Sequence, residues 1–284
     1  MSTVSIVTAL ASIVTLGGGP ATMSVQVALD HDNLYANVGA IMVWRVDGDG
    51  KPVELRGFAS GTLIRYRVMV TAGHFTAPAT SLGSLPASIR MFATFSPGDA
   101  KDPKTWIPVV RQATHPSMPH CPPPPRCDPT DDDLVAPLQP GIADVGLVFL
   151  AHEPRGIQPS QLGPSGTLDR SEGTPMTIAG YGTTMPTRNA PPGTTLNELW
   201  DGKRRTRTST LRRVVDETWA LWSIPSYVCS GDSGGGIFLP PSAPGAVGAL
   251  VANVSDGGRD CRRQNNNNRL DTRSIQNWID DAVR

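Results

Sequence analysis

Proline interrupts this chain 27 times in 284 residues, well above the usual share of about 5%. A proline has no amide hydrogen and clashes with the preceding helical turn, so a chain punctuated this densely does not build a helical bundle. It favours short extended segments joined by loops. The apolar runs between the breaks have strand length. Val38–Val46 ends at Asp47-Gly48-Asp49-Gly50, a strong turn signal. Residues 53–58, 61–66 and 68–70 follow. A stretch rich in Pro and Asp (97–141) comes next, then a compact apolar run opened by Asp144 and ending at Leu150, and a linker-like segment at 154–175. A second series falls at 176–181, 206–215, 218–224, 236–239 and 247–254. At the end, Ile275, Trp278, Ile279 and Val283 recur at helical spacing, with Asp271 and Thr272 placed to cap the helix. The pattern predicts an all-β barrel or sandwich closed by a C-terminal helix.

The 25 basic and 25 acidic side chains cancel. No global field draws the protein to nucleic acid or to an anionic membrane, so partners must be recognised locally. The first apolar run, residues 4–16, is too short and too rich in Ser and Thr to span a bilayer. It has the length of a signal-peptide core, although no Lys or Arg precedes it, and residues 1–24 are expected to be a leader. The four cysteines, Cys121, Cys127, Cys229 and Cys261, fit two disulfides and an oxidising compartment, and spacing alone permits three pairings.

The segment with the clearest chemistry is Gly231-Asp232-Ser233-Gly234-Gly235. A serine hydroxyl needs an adjacent base to become a nucleophile. Flanking glycines allow a sharp turn in which the amides of Gly231 and Ser233 converge on one point, where they would stabilise an oxyanion. Gly-x-Ser-x-Gly also occurs in α/β-hydrolases, but there the histidine follows the serine. Here the histidines are His31, His74, His115, His120 and His152, all before Ser233. The order His, Asp, Ser remains open. His74 follows an apolar strand and the small residues Thr71-Ala72-Gly73, which suits a base at a strand end. His115 and His120 lie in the Pro-rich region and are expected to be solvated. Asp144 leads an apolar strand, where burial demands a partner, and an imidazole supplies one.

The blocks Ser60-Gly61-Thr62-Leu63-Ile64, Thr71-Ala72-Gly73-His74, Ala143-Asp144-Val145-Gly146-Leu147 and Gly231-Asp232-Ser233-Gly234-Gly235 resemble the signature segments of the trypsin/chymotrypsin-like serine proteases, in that family's order. Gly180-Tyr181-Gly182 and the closing Asn277-Trp278-Ile279 helix are similar to further family features. The resemblance covers roughly residues 35–284. It implies two six-stranded antiparallel β-barrels, an N-terminal one within 25–155 and a C-terminal one within 156–284. It implies a triad of Ser233 as nucleophile, His74 as base and Asp144 as the group orienting the histidine, with Gly231 and Ser233 as the oxyanion hole. Tyr227, Ser230, Ser255, Asp256 and Gly257 would contact substrate, and Ser255 would also touch the triad carboxylate. Cys229 would pair with Cys261, worth about 3–4 kcal/mol in the loop-entropy account. Cys121 and Cys127 would then form a local bridge, a metal site with His115 and His120 being the less favoured alternative because the spacing matches no zinc pattern.

The chain departs from the family in informative places. The interval between His74 and Asp144 is long, the excess falling in the Pro/Asp-rich loop. No cysteine pair flanks His74, which resembles bacterial members more than animal ones. Tyr227 stands where pockets that take Arg or Lys carry Asp. No activation sequence precedes Val38, so Asp232 lacks the usual new amino terminus and needs another cation or a terminus made by leader removal near Ser24. Six basic residues in the segment 203–213 could bind a polyanion, but are expected to be a solvated hairpin face. Asp47-x-Asp49-Gly50 and Asp131–Asp133 complete no EF-hand loop. Asn253-Val254-Ser255 fits a glycosylation pattern but falls in an expected pocket strand. Residues 265–268 read as a short polar run. The expected protein is a secreted, monomeric serine endopeptidase acting on polypeptides, with no cofactor and no metal. The alternatives are a small-ester hydrolase using the same triad and a non-catalytic binding protein on the same fold.

Overall fold

The computed structural model describes residues 27–81, 85–118, 141–185, 189–257, 261–262 and 265–284. The expected leader, Cys121 and Cys127 with their expected bridge, His120 and Asp131–Asp133 lie outside the described residues.

The chain enters through a two-residue strand, β1 (Ala28–Leu29), and then winds a closed antiparallel barrel. Its strands are β2 (Val38–Val46), β3 (Pro52–Arg65), β4 (Val68–Thr71), β5 (Ile89–Thr94), β6 (Ile107–Thr114) and β7 (Gly146–Leu150), closed in the order β2-β3-β4-β7-β6-β5. Helix α1 (Gly73–Ser81) follows β4 directly. The second barrel comprises β8 (Pro175–Gly180), β9 (Arg205–Val214), β10 (Trp219–Trp222), β11 (Gly236–Phe238), β12 (Leu250–Asp256) and β13 (Asn266–Arg269), with the short helix α2 (Leu196–Leu199) between β8 and β9. The β8–β9 pairing closes it, and β1 is appended to β9 as an extra strand. Helix α3 (Arg273–Val283) ends the chain. This is the two-barrel architecture that the resemblance implied. No described helix is long and apolar enough to cross a membrane.

Each barrel has its own core. Ile41, Leu63, Met69, Ala93 and Val148 fill the first. Met176, Ile178, Leu211, Trp222, Ile237 and Val254 fill the second. A third cluster joins them, with Val38, Phe58, Val70 and Leu147 packed against Tyr181, Trp200, Phe238 and Leu250, and Ile275 and Ile279 of α3 closing it.

Several elements differ from the sequence expectation. Two short strands become the single long β3, which bends through a register shift opposite Val43 and Trp44 and keeps Ala59 and Ser60 buried. Strand β6 runs inside the region read as loop. The polar run of asparagines becomes β13, with Asn267 and Asn268 fully buried. Asparagine has no preference for strands, so the flanking partners β10 and β12 impose this one. His115 is half-buried, edge-on to Trp278 at 5.1 Å, rather than solvated. Thr272 precedes α3 without a side-chain capping bond, its hydroxyl lying 3.3 Å from Ser274 Oγ, while Asp271 binds Arg269 and the Leu168 amide.

The basic segment is only half a solvated face, with Lys203, Arg212 and Arg213 exposed and Arg204, Arg205 and Arg207 buried. Residues of β9 alternate inward and outward, and Arg205 and Arg207 point inward beside the buried Arg204. Arg204 is wholly enclosed. Its Nε donates to Asp30 Oδ2 (2.8 Å), its Nη1 donates to the carbonyls of Val38 and Phe95 and to Tyr181 Oη, and its Nη2 donates to Asn33 Oδ1. Asp30 also accepts from the amides of Leu34 and Tyr35. One guanidinium therefore ties the N-terminal segment to both barrels. Arg204→Met, which leaves the Asp30 carboxylate buried without its cation, is expected to lower unfolding free energy by about 3–5 kcal/mol in chemical denaturation. A loss of less than about 1 kcal/mol would show that the hub is dispensable.

Candidate active site

The site lies where the two barrels meet. Strand β4 ends at Thr71 and the chain turns into α1, placing His74 in that helix's first turn. Asp144 precedes β7, the neighbour of β4, which brings it alongside. The His74 amide donates to Asp144 Oδ1 at 2.6 Å, and His74 Nδ1 lies 2.8 Å from Asp144 Oδ2. Since a carboxylate only accepts, Nδ1 carries the hydrogen in this bond, which fixes the orientation of the ring. Ser255 Oγ also donates to Asp144 Oδ2. Asp144 is fully buried, while the His74 side chain retains 22% exposure. Burial pushes the Asp144 carboxyl up. The charge of His74 and the bonds from His74 and Ser255 outweigh it and hold the group below the ordinary carboxylate range.

The second barrel contributes the loop 229–235 between β10 and β11. Its carbonyls are taken one by one. Cys229 O accepts from the Asp232 amide (2.9 Å), Ser230 O from the Thr183 amide (2.9 Å), and Asp232 O from the Gly235 amide (2.8 Å). Ser233 O accepts from the Ser60 amide (2.8 Å), and Gly231 O from Ser60 Oγ (2.8 Å). In a trans peptide the N–H opposes the C=O. Fixing the carbonyls of Ser230 and Asp232 therefore fixes where the amides of Gly231 and Ser233 point, and neither has a protein acceptor among the described residues. Gly231 has φ +90°, and a Cβ there would lie 2.0 Å from the Phe58 ring. Gly234 has φ +80°, and a Cβ there would lie 2.2 Å from Thr71 Oγ1. Only glycine permits the loop to seat this closely on β3 and β4, which brings Ser233 to the end of β4 that leads into His74.

Asp232 is held from beneath, and its partner is Arg207 of β9. The guanidinium forks onto the carboxylate, Nη1 to Oδ2 at 2.7 Å and Nη2 to Oδ1 at 2.8 Å. The amides of Gly182 and Cys229 donate to the same carboxylate, each at 2.9 Å. Arg207 also donates to the carbonyl of Tyr227. The sequence assigned no role to Arg207 or, beyond its place in a signature block, to Ser60. The only signal for Arg207 was a basic run whose alternation matches a strand.

The remaining expected substrate residues flank this loop. Tyr227 is half-buried with φ +52°, and the Arg262 guanidinium lies 5.7 Å from the centre of its ring. Cys229 and Cys261 form a disulfide, as the resemblance implied. Ser255 and Asp256 close β12. Gly257 runs so near the opposite wall that a Cβ on it would lie 2.2 Å from the Val228 carbonyl oxygen, so the gap between the walls is narrow there. Asn253 is fully buried, which excludes glycosylation of the folded chain at that position. The described residues contain no cluster of three or more His, Cys, Asp or Glu side chains able to hold a metal.

The architecture matches known structures. A solved structure of GrC superimposes with a TM-score of 0.54 at 17% identity, covering 88% of this chain and 94% of that one. A solved structure of HL collagenase gives a TM-score of 0.54 at 16% identity, with the same coverage of both chains. The fold is that of the trypsin-like serine proteases. No protein-family model matches the chain, and no curated protein matches it in sequence. The trypsin-like fold is thus established by backbone geometry, while the chemistry rests on the side chains described above.

Two outcomes follow. Arg207→Lys keeps the charge but loses the fork, so it should not restore what Arg207→Met removes. Both variants are expected to label with a fluorophosphonate at least about tenfold more slowly than wild type, and labelling of the lysine variant at the wild-type rate would contradict this. Because the Asp144 pKa is lowered by folding, its carboxylate stabilises the fold above the ordinary value of about 3.9. That contribution is lost as pH falls through the lower folded value. Asp144→Asn should therefore show a shallower acid limb than wild type in denaturation followed against pH, and parallel limbs would contradict the assignment.

Proposed function

We propose that the protein is a serine endopeptidase. The observation that carries this is the convergence of two arrangements at one barrel junction. One is a part-exposed histidine oriented through Nδ1 by a buried carboxylate. The other is a serine loop whose carbonyls from Cys229 to Ser233 are engaged and whose Gly231 and Ser233 amides have no acceptor among the described residues. In this reading Ser233 Oγ attacks the scissile carbonyl carbon as His74 Nε2 takes its proton. The tetrahedral oxyanion is bound by the amides of Gly231 and Ser233. On collapse the C–N bond breaks, the proton passes from His74 to the leaving amine, and an acyl-enzyme remains on Ser233. Water then adds by the same route and releases the acid. Asp144 keeps the proton on Nδ1 and stabilises the transient imidazolium.

The Arg207–Asp232 fork bears on activation. The acid beside the nucleophile requires a buried cation, and here the chain supplies one internally. In this reading the loop reaches its working shape without a newly cut amino terminus. The disulfide supports a secreted protein acting in an oxidising compartment. Polypeptides are the proposed substrates.

Fluorophosphonate labelling of the purified protein tests the reading. Wild type should label, and Ser233→Ala should not. Hydrolysis of a peptide library by the wild type, lost in Ser233→Ala and His74→Ala, would establish a peptidase. Turnover of esters without amides would establish the small-ester reading instead. A folded, disulfide-bonded wild type that fails to label would overturn catalysis at this site.

A further inference from the structure

Asp144 precedes a strand and has no strand partner for its own backbone. Both of its main-chain polar groups are instead taken by side-chain amides of the other barrel. Its N–H donates to Asn268 Oδ1 of β13 at 2.7 Å. Its C=O lies 3.3 Å from Asn253 Nδ2 of β12. Both asparagines are fully buried, and they are opposite one another in the β12–β13 register. These bonds settle the orientation of each amide, because an N–H needs an oxygen and a carbonyl needs a donor. They leave Asn253 Oδ1 and Asn268 Nδ2, an acceptor and a donor on facing residues, both buried without a hydrogen-bond partner among the described residues.

We infer that Asn253 and Asn268, facing one another across β12 and β13, together position the acid of the site through its backbone. Neither touches substrate or reacting atoms. Each acts through Asp144. Together with Ser255 they supply, among the described residues, the hydrogen bonds to Asp144 other than those from His74, and all three belong to the second barrel, the one that carries Ser233. The acid is thereby registered to the nucleophile's barrel even though its own chain segment belongs to the first. A buried polar pair of this kind is retained when it fixes geometry, because apolar residues would pack the same space without needing partners. This inference rests on the peptidase reading for its kinetic consequence, but not for its structural one.

The test compares Asn268→Val with Asn268→Thr. The two residues have nearly the same shape, both suit a strand, and they differ in one hydroxyl able to accept from the Asp144 amide. The threonine variant should keep kcat within about threefold of wild type. The valine variant should lose about tenfold in kcat with KM changed by less than about twofold. In proton NMR, the low-field signal of the His74 Nδ1 hydrogen should persist in wild type and Asn268→Thr and weaken or vanish in Asn268→Val. Equal kcat and equal low-field signals in the two variants, whatever their melting temperatures, would overturn the inference. If wild type does not label with a fluorophosphonate, the peptidase reading fails. The NMR comparison would still test the positioning of Asp144.

Discussion

The buried fork between Arg207 and Asp232 is the contact on which the site geometry depends. Taking both charges out of water is costly, and only good geometry with the remaining lone pairs satisfied offsets it. Asp232 meets that condition, with two guanidinium nitrogens and two backbone amides around one carboxylate. Once the side chain is anchored beneath the loop, the backbone from Cys229 to Gly235 can take only a narrow range of shapes. The left-handed Gly231 and the close seating of Gly234 follow from it. So do the directions of the two uncommitted amides.

The second constraint is that each barrel completes the other. Ser60 belongs to the first barrel, yet its hydroxyl donates to Gly231 O and accepts from the Tyr181 amide, while its own amide holds Ser233 O. Asp144 also belongs to the first barrel, yet second-barrel side chains hold its carboxylate and its backbone. Arg204 then ties the N-terminal segment to both. The site is therefore a property of the docked pair and not of either barrel alone. The shared apolar cluster holds the junction closed, and the polar contacts within it set the register.

Much of this was legible in the chain. The Pro and Gly punctuation and the short apolar runs specify barrels over bundles, and β2, β4, β8 and α3 fall where periodicity placed them. His74, Asp144 and Ser233 stood out because of their neighbours close in sequence, namely small residues before the histidine, an apolar strand after the aspartate and glycines around the serine. The partners of those residues were not legible. Arg207 lay within a run that looked solvated, since composition reports how many cations there are and not which face of a strand they occupy. Strand β13 was hidden because Asn266, Asn267 and Asn268 carry no strand signal of their own. His115 was read as solvated because its neighbour Trp278 is distant in the chain.

The sequence by itself determined the fold class, the order of the site residues and the turn at Gly231 and Gly234, because each depends on local backbone preferences and on residue chemistry. Only the tertiary structure decided which cation neutralises Asp232, which hydroxyl orders the loop and which amides hold Asp144. Those answers depend on side chains brought together from separate strands across a barrel junction. A buried charge or amide is satisfied by whatever group the packing delivers to within hydrogen-bonding distance, and sequence proximity does not report that group.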